Sequence, residues 1–215
     1  MLFLSIIKIL TKHLQTINIF FDSVKIKVLR KKEPLIMSIQ IFILGKLMEK
    51  NSYPYLLKKQ LSEPIPFDKM SGLTESKLYY NFEALSKKGL VEIVETIKEE
   101  NRPDKQVFQI TEKGKQTLPK LIYKLFENAK EINEMYVGIA YLKFVDKQKV
   151  INILESKVQD YKQMLIQSKE IKYKIQVTTE NEGLLNFMSD HFNTKTNNTI
   201  HFLEKLITLI ENDNV

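Results

Sequence analysis

The 215-residue sequence predicts a mainly α-helical protein that contains one β-hairpin. Only six glycines and six prolines interrupt the chain, which favours long helices and few turns. Apolar residues recur at helical spacing through most of the sequence after residue 37, whereas they alternate over 90–100 and 106–111. Hydrophobic residues at 43% and charged residues at 27% are typical of globular proteins, so a wholly disordered chain is not expected.

Residues 1–36 are the first of three predicted regions. They carry a net charge of +5, against +3 for 37–120 and −1 for 121–215, so most of the basic excess lies here. Lys8 and Lys12 interrupt the apolar run, which argues against a membrane span. The segment also lacks the features of a secretory signal. An amphipathic helix lying on a membrane surface is the alternative.

We expect translation to start at Met37, which would make residues 1–36 an artefact of start-site choice. The segment Arg30-Lys31-Lys32-Glu33 can be encoded by a purine run containing AAGGAG, a ribosome-binding sequence. A short spacer separates that run from Met37, as it would upstream of a start codon. The abundance of lysine, isoleucine and asparagine also suits an A/T-rich genome, in which spurious upstream extension is common.

Residues 37–117 are the second region, in which three helices precede two strands. The first helix is expected to be amphipathic, with Ile39, Phe42, Ile43 and Leu47 on its apolar side. The second begins near Pro54, a residue suited to a first helical turn. The third follows Thr74, whose hydroxyl can cap the helix.

The third helix has a clear division between buried and exposed positions. At about 100° per residue, Leu78, Phe82 and Leu85 form one buried stripe. The side chains of Ser76, Lys77 and Tyr80 point away from that stripe, and Tyr79 lies on the flank. For an arbitrary helix this would be an ordinary solvated face.

The segments LVEIVETIKEE and QVFQIT alternate as strands, and NRPDK between them is predicted to be a charged turn. Three helices followed by a hairpin is the order of a winged helix-turn-helix. In that fold the third helix enters the DNA major groove and the hairpin reaches the backbone or the minor groove. A winged helix can instead bind another protein.

The same residues resemble the PadR family of regulators. TESKLYYNFEALSKKGLV is similar to the family's Ser-x-Gly-Ser-Leu-Tyr-Pro followed by an apolar helix ending in Glu-Gly-Leu-Ile. NRPDKQVFQITEKGK resembles its wing, Gly-Arg-Pro-x-Lys-x-Tyr-x-Ile-Thr-x-x-Gly. Tyr80 stands where the family usually has proline, and Tyr55 alone matches its His-Gly-Tyr.

This resemblance implies a cytoplasmic bacterial transcriptional regulator, most often a repressor. It would bind an inverted-repeat promoter site in double-stranded DNA as a homodimer, without a cofactor and without a membrane partner. A small-molecule effector of unknown identity would control DNA release. The alternative is a protein-interaction or membrane-associated adaptor. The candidate DNA-binding residues are Tyr55, Thr74, Ser76, Lys77, Tyr79, Tyr80, Arg102 and Lys105.

Residues 118–215 are the third region, predicted to be a helical dimerisation domain with long antiparallel helices. Pro119 favours two short helices first, and two long helices then start near Asp146 and Gly183. Their narrow apolar seams suggest packing on each other and on a partner chain, with a purely intramolecular hairpin as the alternative. The polar stretch 193–198 is expected to bend the last helix or to splay the chains. The candidate dimerisation residues are Leu154, Val158, Tyr161, Leu165, Leu185, Met188, Phe192, Leu203, Leu206 and Ile210.

No catalytic motif is evident, and we do not expect an enzyme. The chain has no cysteine, so disulfides and thiolate metal sites are excluded. His191 and His201 lie near Asp190 but on different faces of a helix, which disfavours a metal site. Aromatic residues at the junction of the two domains could line an effector pocket, although core packing is the favoured interpretation. These are Tyr123, Phe126, Tyr136, Tyr141 and Phe144.

Overall fold

The computed structural model describes residues 36–61, 75–99, 102–174 and 182–214. The predicted fold class is confirmed, because helices dominate and the two strands form one antiparallel sheet. The winged helix-turn-helix order and the two long C-terminal helices are both present. The segment 1–35, with its alternative interpretations, lies outside the described residues.

The helices and strands follow one another in a simple order. Helix α1 covers 36–49, and helices α2 and α3 cover Pro54–Leu61 and Glu75–Lys87. Strands β1 and β2 cover Val91–Glu99 and Arg102–Ile110. Helix α4 covers Glu112–Asn128, and helix α5 covers Tyr136–Ala140 between the 3-10 turns Ile132–Met135 and Leu142–Phe144. The long helices α6 and α7 cover Lys147–Lys174 and Glu182–Glu211.

The middle of helix α1 is buried on all sides, which corrects the prediction of an amphipathic helix for that part. Every residue from 39 to 45 is buried, including Ile41 and Leu44 outside the predicted stripe. One covering group comes from the C-terminal half, where the Tyr141 ring lies against Gly45. A helical segment that is buried all round needs partners on every face. The C-terminal region supplies one of these partners, and the local pattern did not reveal it.

Helix α3 ends in a hydrogen-bonded glycine cap. Gly89 has φ of 67°, a left-handed conformation that costs glycine little because it has no Cβ. Its N–H donates to the Ser86 carbonyl at 2.8 Å, and the Leu90 N–H donates to the Leu85 carbonyl at 2.9 Å. This pair of hydrogen bonds is the Schellman motif. It reverses the chain from α3 directly into β1.

Strand β2 begins four residues earlier than the sequence predicts. Glu99 pairs with Arg102 and Ile97 pairs with Lys105, so the segment NRPDK is mostly strand rather than turn. The predicted charged turn is therefore wrong over 102–105, because backbone pairing continues beyond the alternating apolar residues. Lys105 consequently lies along the hairpin and not at its tip. On the other side of β2, Ser52 bridges Phe108 through two backbone hydrogen bonds of 2.8 and 3.1 Å.

Helix α4 runs unbroken through Pro119, which corrects the prediction of a break there. Thr111 caps the helix by accepting a hydrogen bond from the Gly114 N–H at 3.0 Å, so the helix is established before the proline. Leu118, Ile122, Leu125 and Phe126 then bury one continuous face. The predicted domain boundary between residues 117 and 118 falls within this helix.

Helices α6 and α7 form an antiparallel pair. Lys147 contacts Asp213 at 2.5 Å and Lys162 contacts Glu204 at 2.8 Å, so the start of one helix lies beside the end of the other. Helix α7 continues through the polar stretch 193–198 without a break. Thr196 within it is buried, and its hydroxyl donates to the Phe192 carbonyl at 2.7 Å. This internal bond satisfies the hydroxyl without a break in the helix.

Candidate nucleic-acid interface

The exposed side of helix α3 is fixed by its buried side. Leu78, Phe82 and Leu85 are each no more than 1% exposed, as the stripe predicted. Ser76 and Lys77 are exposed, and Tyr79 and Tyr80 are 48% and 65% exposed. The polar and aromatic side chains at the beginning of α3 are therefore presented to solvent, because the apolar stripe determines the rotation of the helix.

A groove of about 960 Å³ lies between the beginning of α2, the exposed side of α3 and the hairpin. Its walls carry four tyrosines, so we call it the tyrosine groove. Helix α3 contributes Glu83 and Ser86 in addition to its tyrosines, and the hairpin contributes polar residues of β2. The lining consists of Tyr53, Pro54, Tyr55, Tyr79, Tyr80, Phe82, Glu83, Ser86, Ile93, Asp104, Lys105, Gln106 and Phe108.

The floor of the tyrosine groove joins the helix to the hairpin. The rings of Phe82 on α3 and Phe108 on β2 lie 4.8 Å apart between centroids. Both residues are buried, and Phe108 is also held by its backbone bridge to Ser52. The relative position of α3 and the hairpin thus depends on aromatic packing beneath the exposed tyrosines.

Charged groups are distributed unevenly around the tyrosine groove. The Lys105 ammonium lies 5.7 Å from the centroid of the Tyr53 ring, within the range of a cation–π contact. Glu83 accepts a hydrogen bond from Lys87 at 2.6 Å, and this contact raises the pKa of Lys87. Because Glu83 is paired in this way, its charge is partly offset on the exposed side of α3.

The arrangement suits recognition of a polar polymer. Tyrosine hydroxyls can donate to phosphate or base-edge oxygens, and tyrosine rings can contact sugars or thymine methyl groups. Lys77 on α3 and Lys105 on β2 can supply positive charge. In the described residues, no three histidine, aspartate or glutamate side chains are grouped so as to hold a metal ion.

The predicted DNA-binding residues fall into three groups. Tyr55, Tyr79, Tyr80 and Lys105 all line the tyrosine groove. Ser76 and Lys77 are exposed on α3 outside that lining. Thr74 lies outside the described residues, and of Arg102 only the backbone is described, paired with Glu99.

Sequence reasoning missed two residues in this part of the molecule. Tyr53 lies in the groove beside Lys105, although the sequence singled out only Tyr55 in that segment. Asn81 is only 2% exposed, although it is an amide on α3. Its position, about 60° from Leu78 at 100° per residue, would have placed it at the edge of the buried stripe.

The candidate dimerisation residues are divided between the interior and the surface of a single chain. Leu154, Val158, Leu203, Leu206 and Ile210 are buried in the packing of this chain itself. Tyr161, Leu165 and Leu185 are partly buried, whereas Met188 and Phe192 are 57% and 39% exposed. The first group therefore forms an intramolecular interface, which was the alternative interpretation of the seam.

A strip of exposed apolar residues lies on the flank of α7. At 100° per residue, Leu184, Phe187 and Phe202 lie within about 60° of one another, and buried Leu203 lies about 100° from Phe202 and 160° from Phe187. These three residues are 63%, 70% and 50% exposed. Phe187 and Phe202 also line a depression of about 700 Å³ beside the 131–133 turn. This apolar face has no covering partner in the described part of the chain.

The aromatic residues at the domain junction mostly serve the core. Phe126 and Tyr141 are buried, and the Tyr123 hydroxyl accepts a hydrogen bond from the Asp146 N–H at 2.9 Å. The rings of Phe144 and Tyr141 are stacked, with their centroids 6.1 Å apart.

Across the described ranges, no helix is long and apolar enough to cross a bilayer.

Comparison with known families identifies the N-terminal half. Residues 43–120 match the model of the transcriptional regulator PadR-like family. Residues 43–120 form a PadR-like domain. The match covers the second half of α1, then α2, α3, the hairpin and the first half of α4, and it therefore contains the whole tyrosine groove. The PadR-like family is a family of transcriptional regulators, and no curated protein matches this chain.

Several solved structures match about four-fifths of this chain. Bacillus subtilis PadR in complex with operator DNA is 16% identical, with a TM-score of 0.35 over 80% of this chain and 98% of that chain. The same protein with p-coumaric acid is 14% identical, with a TM-score of 0.33 over 82% and 97%. The protein smu.1604c from Streptococcus mutans UA159 is 17% identical, with a TM-score of 0.34 over 77% and 98%.

Proposed function

We propose that this protein is a sequence-specific DNA-binding transcriptional regulator. The observation that carries the proposal is the beginning of α3, where Ser76, Lys77 and Tyr80 are exposed while Leu78 and Phe82 are buried. A recognition helix needs this division, because its buried stripe fixes the register in which its exposed side chains meet base edges. The PadR-like match over 43–120 supports the same function.

The regulator would bind an inverted repeat at a promoter as a homodimer and repress transcription by occupying it. Two-fold symmetry of the protein would then match two-fold symmetry of the DNA site. Release from DNA would be controlled by a small-molecule effector. The structure of Bacillus subtilis PadR in complex with p-coumaric acid supports an effector.

A winged-helix module that binds another protein is the second candidate, because most of the residues that line the tyrosine groove are apolar or aromatic. Selection from a pool of random duplex DNA distinguishes the two functions. A regulator should enrich a roughly palindromic site from that pool. Absence of any enriched sequence would reject DNA recognition and favour the protein-binding function.

Three substitutions should separate base reading from phosphate contact. Lys77→Ala and Tyr80→Ala should change which bases are preferred, because their side chains lie at the exposed beginning of α3. Lys105→Ala should weaken binding to all sequences and reduce the slope of log K against log salt by about 0.9. Fluorescence anisotropy on the selected site and on single-base variants, at several salt concentrations, measures both quantities.

The matched control is Lys205→Ala, which removes an exposed lysine from α7, far along the chain from the tyrosine groove. It should leave both base preference and salt slope unchanged. Unaltered preference in both the Lys77 and Tyr80 variants would show that the reading face lies elsewhere.

Self-association is proposed to use the exposed apolar face of α7 defined by Leu184, Phe187 and Phe202. Phe187→Asp should raise the dimer dissociation constant at least tenfold, because it places a charge in the centre of an apolar contact. Analytical ultracentrifugation measures the change. Asn197→Asp introduces the same charge on the exposed flank of the same helix and should leave the dimer intact. Equal dissociation constants for the two variants would exclude this face.

A further inference from the structure

A buried amide pair joins helix α1 to helix α3. The Gln40 Nε2 donates to the Asn81 Oδ1 at 3.2 Å, and the two residues are 7% and 2% exposed. The Asn81 Nδ2 donates in turn to the Lys77 carbonyl at 2.8 Å. The buried side chains of α3 around it, including Leu78 and Phe82, are apolar. A hydrogen bond in such surroundings is directional, whereas apolar packing alone is not.

Because Asn81 lies on α3, its hydrogen bond to Gln40 can fix the positions of the exposed residues of that helix. Asn81 is four residues after Lys77 and directly follows Tyr80, at the edge of the buried stripe. Any rotation or sliding of α3 relative to α1 would lengthen the bond to Gln40 and leave buried polar atoms unpaired. Such a shift would also move Lys77 and Tyr80, because all three residues share one rigid helical turn.

Helix α1 is itself held by the C-terminal half of the chain. The Tyr141 hydroxyl donates a hydrogen bond to the carbonyl of Phe42 at 3.4 Å. Phe42 follows Gln40 by two residues on α1. Lys143 donates to Glu49 at 2.6 Å near the other end of α1, and this contact lowers the pKa of Glu49. Helix α1 therefore provides a fixed support against which α3 can be oriented.

We propose that the Gln40–Asn81 amide pair is a positioning device that sets the orientation of the recognition helix and thereby the base preference of the protein. The inference rests on the proposed DNA-binding function. Two residues that face the core, away from the tyrosine groove, thus take part in DNA sequence specificity. Neither residue would touch DNA, and each would act through Lys77 and Tyr80.

Three variants test this proposal, Gln40→Leu, Asn81→Leu and the double substitution. Each single variant should melt at a lower temperature, because one amide remains buried without its partner. The double variant should recover most of the melting temperature, since two apolar groups of similar size replace the pair. It should nevertheless lose roughly tenfold in discrimination between the selected site and a single-base mismatch, with an unchanged salt slope.

A structural role alone would restore discrimination together with melting temperature. A double variant that folds and discriminates as well as the wild type would therefore overturn the proposal. If the double variant does not fold, Gln40→Asn keeps the amide but shortens its reach, and wild-type discrimination by that folded variant would equally overturn it. Failure of the wild-type protein to enrich any DNA site is a different result, which rejects the proposed function and the inference with it.

Discussion

Replacing Gly114 with alanine is expected to lower the free energy of unfolding by about 3 kcal/mol. An alanine Cβ at this position would lie 2.2 Å from the Leu90 carbonyl oxygen and 2.7 Å from the Ile110 Cγ1. The oxygen is backbone and cannot rotate away as a side chain could. It also accepts the Thr111 N–H at 3.1 Å, so a shift would disturb the joint between the hairpin and α4.

The physical cause of this effect is close packing of α4 against the start of β1. The Thr111 hydroxyl donates to the Gly89 carbonyl at 2.8 Å and accepts from the Gly114 N–H at 3.0 Å. These bonds draw the first turn of α4 onto the chain at Leu90. Only a residue without a Cβ fits at that distance, which explains the glycine in the Ile-Thr-x-x-Gly segment.

The matched control is Gly183→Ala in the first turn of α7, where an added Cβ would meet no atom within 4 Å. This variant should be unchanged or more stable by up to about 1 kcal/mol, because alanine loses less backbone entropy in a helix. Urea unfolding followed by circular dichroism measures both variants. A Gly114→Ala protein as stable as the Gly183→Ala control would contradict the close packing described above.

Replacing Gly45 with alanine is expected to cost about 2 kcal/mol through a clash with a side chain. The new Cβ would lie 2.4 Å from the Tyr141 Cε1 and 2.6 Å from its Cδ1. The ring would have to move away from α1. Burial raises the pKa of the Tyr141 phenol and keeps its hydroxyl a neutral hydrogen-bond donor. Movement of the ring would break the hydrogen bond from this hydroxyl to the Phe42 carbonyl.

A double-mutant cycle with Tyr141→Leu tests that cause directly. Leucine lacks the outer ring atoms that would clash, so Gly45→Ala should cost much less in the Tyr141→Leu background than in the wild type. The expected coupling energy is about 1 kcal/mol or more, as for residues in direct contact. Strictly additive effects on the urea unfolding free energy would show that Gly45 is constrained by something other than the ring.

Much of the candidate interface followed from local pattern. The spacing of Leu78, Phe82 and Leu85 placed Lys77 and Tyr80 on the solvent side, because a rigid helix with one buried stripe leaves the other side exposed. The glycine cap at Gly89 likewise follows from local backbone geometry. These features depend on residues only a few positions apart, which is the range over which helical periodicity is informative.

The placement of Lys105 and Tyr53 could not be obtained in this way. The length of the hairpin depends on backbone pairing, which continued past the alternating residues and moved Lys105 away from the predicted tip. The proximity of Tyr53 to Lys105 depends on how the beginning of α2 meets β2. Long-range contacts such as these carry no periodic signal in the sequence.

The sequence alone determined the helix-and-hairpin order, the exposed face of α3 and the two long C-terminal helices, because each is encoded by periodic apolar residues and local caps. Only the tertiary structure decided that the middle of α1 is enclosed on all sides and that Gln40 meets Asn81. It also decided that much of the apolar seams of α6 and α7 is buried between these two helices. Those outcomes depend on which apolar surfaces meet, and burial between distant segments is shared by both partners. A pattern in either segment records that its surface is buried without recording what covers it.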